Sequence, residues 1–165
     1  MIYLIVGTPD SGKSKLAEDL ISSVSGDKRK YYIATMIPYG EEGALRVSKH
    51  RAMREGKGFD TLEIPFDVCD AAISGQSAVL LECVSNLAAN ELFERKTPDE
   101  ECEEKIIRDI LALSGKADEI VIVTNHFEVT DDFDDDTVRY AVLMDRINNR
   151  LRGTADKLID LTEKQ

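Results

Sequence analysis

At 165 residues the chain has the size of one domain and can bury a core without disulfide or metal staples. Its 42% apolar and 32% charged residues are those of a soluble globular protein, and no apolar run approaches the roughly 20 residues that cross a bilayer. The net charge of −11 argues against a nucleic-acid surface, so an anionic ligand must be held by local donors against an unfavourable global field.

The apolar run Ile2 to Val6 has no basic stretch before it and no small-residue cleavage site after it. It reads as a first strand rather than a leader, and a cytoplasmic location is expected. Leu16, Leu20 and Val24 recur at helical spacing and predict a helix from Lys13 to Val24. A β-rich segment follows from Lys30 to Thr35, then a loop with Pro38 and Gly40, and a helix from Glu41 to Arg54. Thr61 to Ile64 reads as a strand ended by Pro65, and Ala78 to Cys83 as a strand buried on both faces. Helical patterns cover Leu87 to Glu94 and Asp99 to Ser114, and Ile120 to Thr124 is a further buried strand. The last helix is expected from Thr137 to Leu151, with Val138, Val142 and Ile147 on or near one face, before a short strand at Leu158 to Leu161.

No repeat, low-complexity tract or linker interrupts this alternation. It predicts one α/β domain over residues 1–165: a mainly parallel sheet with right-handed crossovers and helices on both faces. Ligands of such sheets bind at the carboxyl ends of the strands, where Thr35, Glu82 and Asn125 fall. Cys69, Cys83 and Cys102 lie too far apart for a zinc site or a disulfide framework and read as small buried residues.

The run Gly7-Thr8-Pro9-Asp10-Ser11-Gly12-Lys13-Ser14 fits G-x-x-x-x-G-K-[ST], the phosphate loop of P-loop NTPase-type folds. Its glycines let successive backbone N–H groups face phosphate oxygens, and the following helix adds its positive end. Lys13 is expected on the β- and γ-phosphates of ATP or GTP, with Ser14 on the bridging Mg²⁺. Glu82, at the end of a buried strand, is expected to hold that metal or to take a proton from the attacking hydroxyl.

His50 shares a helix face with Arg46 and Arg54 at i−4 and i+4. Guanidiniums there suit phosphate oxygens, although spacing alone favours a solvated basic face. His126, just past a strand end, reads as a loop histidine. Asp131, Asp132, Asp134, Asp135 and Asp136 read as a solvated acidic loop, since they lack the glycine and glutamate of a calcium loop.

Several segments together carry a resemblance: Gly7 to Ser14, Tyr32-Ile33-Ala34-Thr35, Arg46-Val47-x-x-His50-Arg51, Thr61-x-Glu63, Leu81-Glu82-Cys83 and Val123-Thr124-Asn125. Over nearly its whole length the chain resembles the bifunctional adenosylcobinamide kinase/adenosylcobinamide-phosphate guanylyltransferases of cobalamin biosynthesis. The resemblance implies phosphorylation of adenosylcobinamide by ATP or GTP, then transfer of GMP from GTP through a guanylylated histidine, matched by His50. It also implies that Ile33, Ala34, Thr35, Arg51, Arg54, Glu63 and Glu82 surround the guanine nucleotide, and, since the family's members form homotrimers, that this protein is a homo-oligomer. Two departures stand out: Pro9-Asp10 where the family usually has Arg before Ser-Gly-Lys-Ser, and His126-Phe127-Glu128 after Asn125. Two other readings fit the phosphate loop: a P-loop kinase without the guanylyl step, and a non-catalytic nucleotide-binding regulator. Neither would carry GMP on His50.

Overall fold

The computed structural model describes residues 1–37 and 40–162. Pro38, expected in the loop before the second helix, lies outside the described residues. In chain order the elements are β1 (Ile2–Gly7), α1 (Lys13–Ser25), β2 (Arg29–Ala34), α2 (Gly40–Arg54), β3 (Phe59–Glu63) and β4 (Ser77–Glu82). They continue with α3 (Val84–Ala89), α4 (Asp99–Ser114), β5 (Glu119–Asn125), α5 (Asp135–Thr154) and β6 (Lys157–Asp160). A 3-10 turn spans Val68–Asp70, and a π turn at Asn90–Glu94 completes the helix expected over Leu87 to Glu94. The other expected strands and helices are present, with bounds that differ by a turn or less.

The described strands form one parallel sheet in the order β3-β2-β4-β5-β1-β6. The chain leaves β1 to one side, passing β5 and β4 to reach β2, whereas β5 connects past β1 to β6 on the other. The direction of travel therefore reverses at the β5–β1 pair, the position where open α/β sheets bind ligands.

Both faces are covered. Tyr3, Ile5, Tyr32, Leu80, Val121 and Val123 pack with Ala17 and Ile21 of α1. Leu4, Ile33, Leu81 and Ile122 pack on the other face against α3, α4 and α5. The expected stripe of α1 is rotated: Ala17 and Ile21 are fully buried at its centre, with Leu16, Leu20 and Val24 flanking them. On α5 the core face is Ala141, Met144, Ile147, Asn148 and Leu151, while Val142 is 48% exposed. The repeat of 3.6 residues selects 141, 144, 148 and 151 and turns 142 about 100° aside, which corrects the expected placement of Val142. Part of the acidic run is also helical. Asp134 Oδ1 accepts a 2.7 Å hydrogen bond from the Thr137 N–H, and Asp135 and Asp136 occupy the first turn of α5, where carboxylates oppose the positive helix end.

Cys83 and Cys102 are buried, Cys69 is half-buried, and all three are free thiols. Among the described residues no helix is long and apolar enough to cross a membrane.

An ion network joins the segment after β3 to the π turn and α4. Arg95 grips both carboxylate oxygens of Asp67 at 2.9 Å. Lys105 lies 2.7 Å from Asp67, 3.2 Å from the buried Glu91 and 2.6 Å from Asp109. Arg95, then Lys105, hold the Asp67 carboxyl well below the usual carboxylate range. Because the folded group ionises more readily than the unfolded one, its stabilisation is complete above the unfolded value of 3.8 and lost as pH falls toward the folded value.

The stability gap between wild type and Asp67→Asn is thus expected to stay constant from neutral pH to about 5 and to narrow below about 4, as read by urea titration across pH. For α5, Met144→Ala is expected to cost about 2–5 kcal/mol. Val142→Ala should stay within about 0.5 kcal/mol, and equal losses at the two positions would contradict the placement of the helix face.

Candidate active site

The loop between β1 and α1 is shaped by its glycines. A Cβ on Gly7 would collide with Ser11 Oγ and press on Lys13 Cδ at 3.3 Å, and Gly12 takes φ 81°. Asp10 also adopts a left-handed angle, φ 64°, and its side chain is exposed. Lys13 Nζ donates to the Thr8 carbonyl at 3.2 Å, so the ammonium lies folded over the loop. Ser11 Oγ is buried without a hydrogen-bond partner.

Glu82 ends β4 facing this loop. Its Oε1 accepts from the Ser14 hydroxyl, and its Oε2 accepts from Tyr32 OH at 2.8 Å. Burial, then the Glu82 charge, push the Tyr32 phenol far above its ordinary pKa, so it remains a donor. The Arg54 guanidinium lies 3.6 Å from the centroid of the Tyr32 ring. Arg54 is 6% exposed, and its Nε has no hydrogen-bond partner among the described residues. Sequence alone assigns Tyr32 no role; its position two residues before Ala34, the partner of Glu82 in register, is the available signal.

Thr35 is fully buried. Its hydroxyl lies 3.0 Å from the Glu82 carbonyl and 2.9 Å from the Cys83 carbonyl, and it accepts from the Cys83 N–H at 2.8 Å. The side chain thus braces the end of β4. Asn90 Nδ2 ties the Thr35 and Pro65 carbonyls at 2.8 and 2.9 Å, joining the ends of β2 and β3.

Above these strand ends opens a cavity of about 820 Å³. Pro9, Asp10, Gly12, Lys13 and Ser14 form one wall; Arg46, Val47, His50, Arg51 and Arg54 of α2 form the facing one. Tyr32, Ala34, Thr35, Glu63, Glu82 and Asn125 lie between them. Ile33 is turned away: strand alternation puts Tyr32 and Ala34 toward α1 and sends Ile33 into the larger core. Arg51 pairs with Glu63, linking α2 to the end of β3. The spacing left the basic face of α2 open between solvent and site, and the fold turns it to the cavity.

Two features stay outside. His126 follows β5 with Nδ1 3.4 Å from Asp145 on α5, and it does not line the cavity. A second hollow of about 810 Å³ lies around Ser48, Glu55 and Phe59; it shares Arg51 and Arg54 but has neither the loop nor Glu82.

A loop built for phosphates faces a helix bearing a histidine and arginines, and family comparison gives this arrangement its context. The family model for cobinamide kinase / cobinamide phosphate guanyltransferase, CobU, matches residues 3–162. The chain belongs to this family. It is 33% identical over 138 residues to the bifunctional adenosylcobalamin biosynthesis protein CobU of Escherichia coli, covering 76% of this chain and 75% of that protein. The protein of the same name from Salmonella typhimurium is 28% identical over 178 residues, covering 96% and 93%. The ATPase domain of G40P matches 96% of this chain and 68% of its own at a TM-score of 0.55 and 12% identity, a likeness of fold alone. Membership of the CobU family makes the chain a transferase of cobalamin biosynthesis on a P-loop fold.

Tyr32→Phe keeps the ring beneath Arg54 but removes the donor to Glu82. A loss of about 1–3 kcal/mol is expected in urea titration, and an unchanged midpoint would show that the phenol does not hold the carboxylate.

Proposed function

We propose that both CobU-family reactions run in this one cavity: phosphorylation of adenosylcobinamide by ATP or GTP, then transfer of GMP from GTP to adenosylcobinamide phosphate. The observation that carries this reading is that His50 opens onto the same cavity as Lys13, Ser14 and Glu82. The buried, unpartnered Ser11 Oγ and Arg54 Nε are donors whose natural complement is a phosphate oxygen.

In the first reaction, nucleotide phosphates lie along the loop from Gly7 to Ser14, with the Lys13 ammonium released from the Thr8 carbonyl onto them. Ser14 and Glu82 set two hard oxygen donors side by side, a pair that fits Mg²⁺ and would hold it. Bound there, Mg²⁺ supplies neutralisation of charge on the transferring phosphates. Glu82 takes the proton that the acceptor hydroxyl gives up.

In the second reaction an imidazole nitrogen of His50 bonds to the α-phosphorus of GTP, and the bond from that phosphorus to the bridging oxygen breaks, releasing pyrophosphate. Arg46 and Arg54 offer bidentate donors to the phosphate oxygens as charge builds. A phosphate oxygen of the cobinamide phosphate then attacks the same phosphorus, the N–P bond breaks, and the free imidazole is restored. Splitting one difficult displacement into two easier ones is the advantage of the covalent intermediate. Ala34, Thr35, Arg51 and Glu63 line the nucleotide pocket.

The corrinoid presents its aminopropanol arm here and leaves its macrocycle outside. A homotrimer would supply neighbouring copies to cover it, and Leu45 on α2, 70% exposed, is an apolar side chain suited to such a contact. We place the activity in the cytoplasm, where both triphosphates are available. Light scattering is expected to give three chains per particle, and a monomer would remove the subunit part of this reading.

The deciding experiment is intact-protein mass after incubation with GTP and Mg²⁺. Wild type should gain the mass of one GMP, and His50→Ala should gain none while still binding GTP. Lys13→Ala should lose nucleotide uptake in calorimetry. Glu82→Gln should slow phosphoryl transfer by about 10²–10⁴-fold. An enzyme that phosphorylates adenosylcobinamide without ever carrying GMP would reduce the reading to a kinase.

A further inference from the structure

Asn125 is the last residue of β5, at the pair of strands where the direction of the fold reverses. In register it stands opposite Gly7, the first residue of the phosphate loop, and its strand neighbour Val123 stands opposite Glu82. It therefore sits on the rim between the loop and the carboxylate. Its main chain is fixed on both sides: its carbonyl accepts from Asn148 Nδ2 at 2.9 Å, and the following N–H donates to the Gly7 carbonyl at 2.9 Å.

The side-chain amide is fixed at one end only. Nδ2 donates to Ser85 Oγ at 2.8 Å and also faces Cys83 Sγ at 3.7 Å. Ser85 Oγ and Cys83 Sγ are themselves 2.6 Å apart, and both residues are buried. In this arrangement the amino group faces α3. Among the described residues Oδ1 is left buried without a donor, on a residue that lines the cavity.

A buried carbonyl oxygen needs a donor. Phosphate oxygens cannot provide one, because at neutral pH they are acceptors, and nearby Glu82 is already an acceptor for Ser14 and Tyr32. Oδ1 therefore calls for a donor, and among the groups that react at the phosphate end of the cavity the acceptor alcohol brings one, its O–H.

We propose that Asn125 Oδ1 receives the hydroxyl hydrogen of the alcohol acceptor and turns that oxygen's lone pair toward the γ-phosphorus. This rests on the kinase half of the reading above. The alcohol oxygen bonds to the γ-phosphorus, the bond from that phosphorus to the β–γ bridging oxygen breaks, and the nucleoside diphosphate leaves with the electron pair. In the loose transition state of phosphoryl transfer the hydroxyl proton departs late: once the new bond to phosphorus has formed, it leaves its hydrogen bond to Asn125 Oδ1 and passes to Glu82. Asn125 thus aligns the nucleophile, and nucleotide binding is left to the loop and α2.

The test compares wild type, Asn125→Ala and the similarly sized Asn125→Leu with GTP, Mg²⁺ and adenosylcobinamide. GTP affinity and GMP loading of His50 are measured beside steady-state phosphorylation of the alcohol. In both variants GTP affinity is expected to stay within about twofold, while kcat for phosphorylation falls about 10²-fold and the KM for adenosylcobinamide rises. Unchanged phosphorylation overturns the proposal. So does a matching loss of GTP binding and phosphorylation, which would assign Asn125 to the nucleotide or to folding. If wild type itself never carries GMP, the guanylyl reading fails alone, because phosphorylation of the alcohol is read separately.

Discussion

Every functional side chain in this protein reaches its place because the described strands run parallel in one buried sheet. Parallel neighbours cannot be joined by a hairpin, so each connection returns by a crossover. The carboxyl ends then share one rim. That geometry brings the loop after β1, Thr35 after β2, Glu63 of β3, Glu82 of β4 and Asn125 of β5 to a single cavity, although up to 118 positions separate the loop residue Gly7 from Asn125 in sequence.

Charge is the second constraint. The chain carries a net charge of −11, yet the cavity walls set Lys13, Arg46, Arg51 and Arg54 against Asp10, Glu63 and Glu82. The cations are gathered by two elements alone, the loop and α2. Arg54 shows how a guanidinium is kept there: it is buried on the face of Tyr32, whose hydroxyl in turn orients Glu82. The aromatic ring thus serves two charges of opposite sign at once, one through its π face and one through its polar tip.

The elements are held to different degrees. Glu82 is fixed by Ser14, Tyr32 and, through the main chain, Thr35. Helix α2 is held far more lightly: of its described side chains only Arg54 is buried, and Arg51 reaches β3 through an exposed ion pair. The carboxylate beside the loop is thus held rigidly, and His50 opposite it stands on a lightly held helix. Asn90 belongs to the rigid part, since its amide closes the gap between the ends of β2 and β3.

Local sequence determined the α/β alternation, the phosphate loop and the acidic residue at the end of β4, because each depends on short-range properties: periodicity, glycine angles and a buried apolar run. The resemblance added His50, whose spacing from Arg46 and Arg54 could not tell a solvated face from a site. Only tertiary structure decided that this face meets the loop, since that depends on where α2 returns relative to β3. The same holds for the contacts of Tyr32 and Asn125: sequence puts Asn125 at a strand end and both residues in motifs, but their partners are set only when Glu82 and Ser85 lie beside them. It holds too for Val142 and Ile33, whose facing follows from how each element is rotated against the sheet. Period and composition are written along the chain; rotation, strand order and hydrogen-bond partners arise only when distant segments pack.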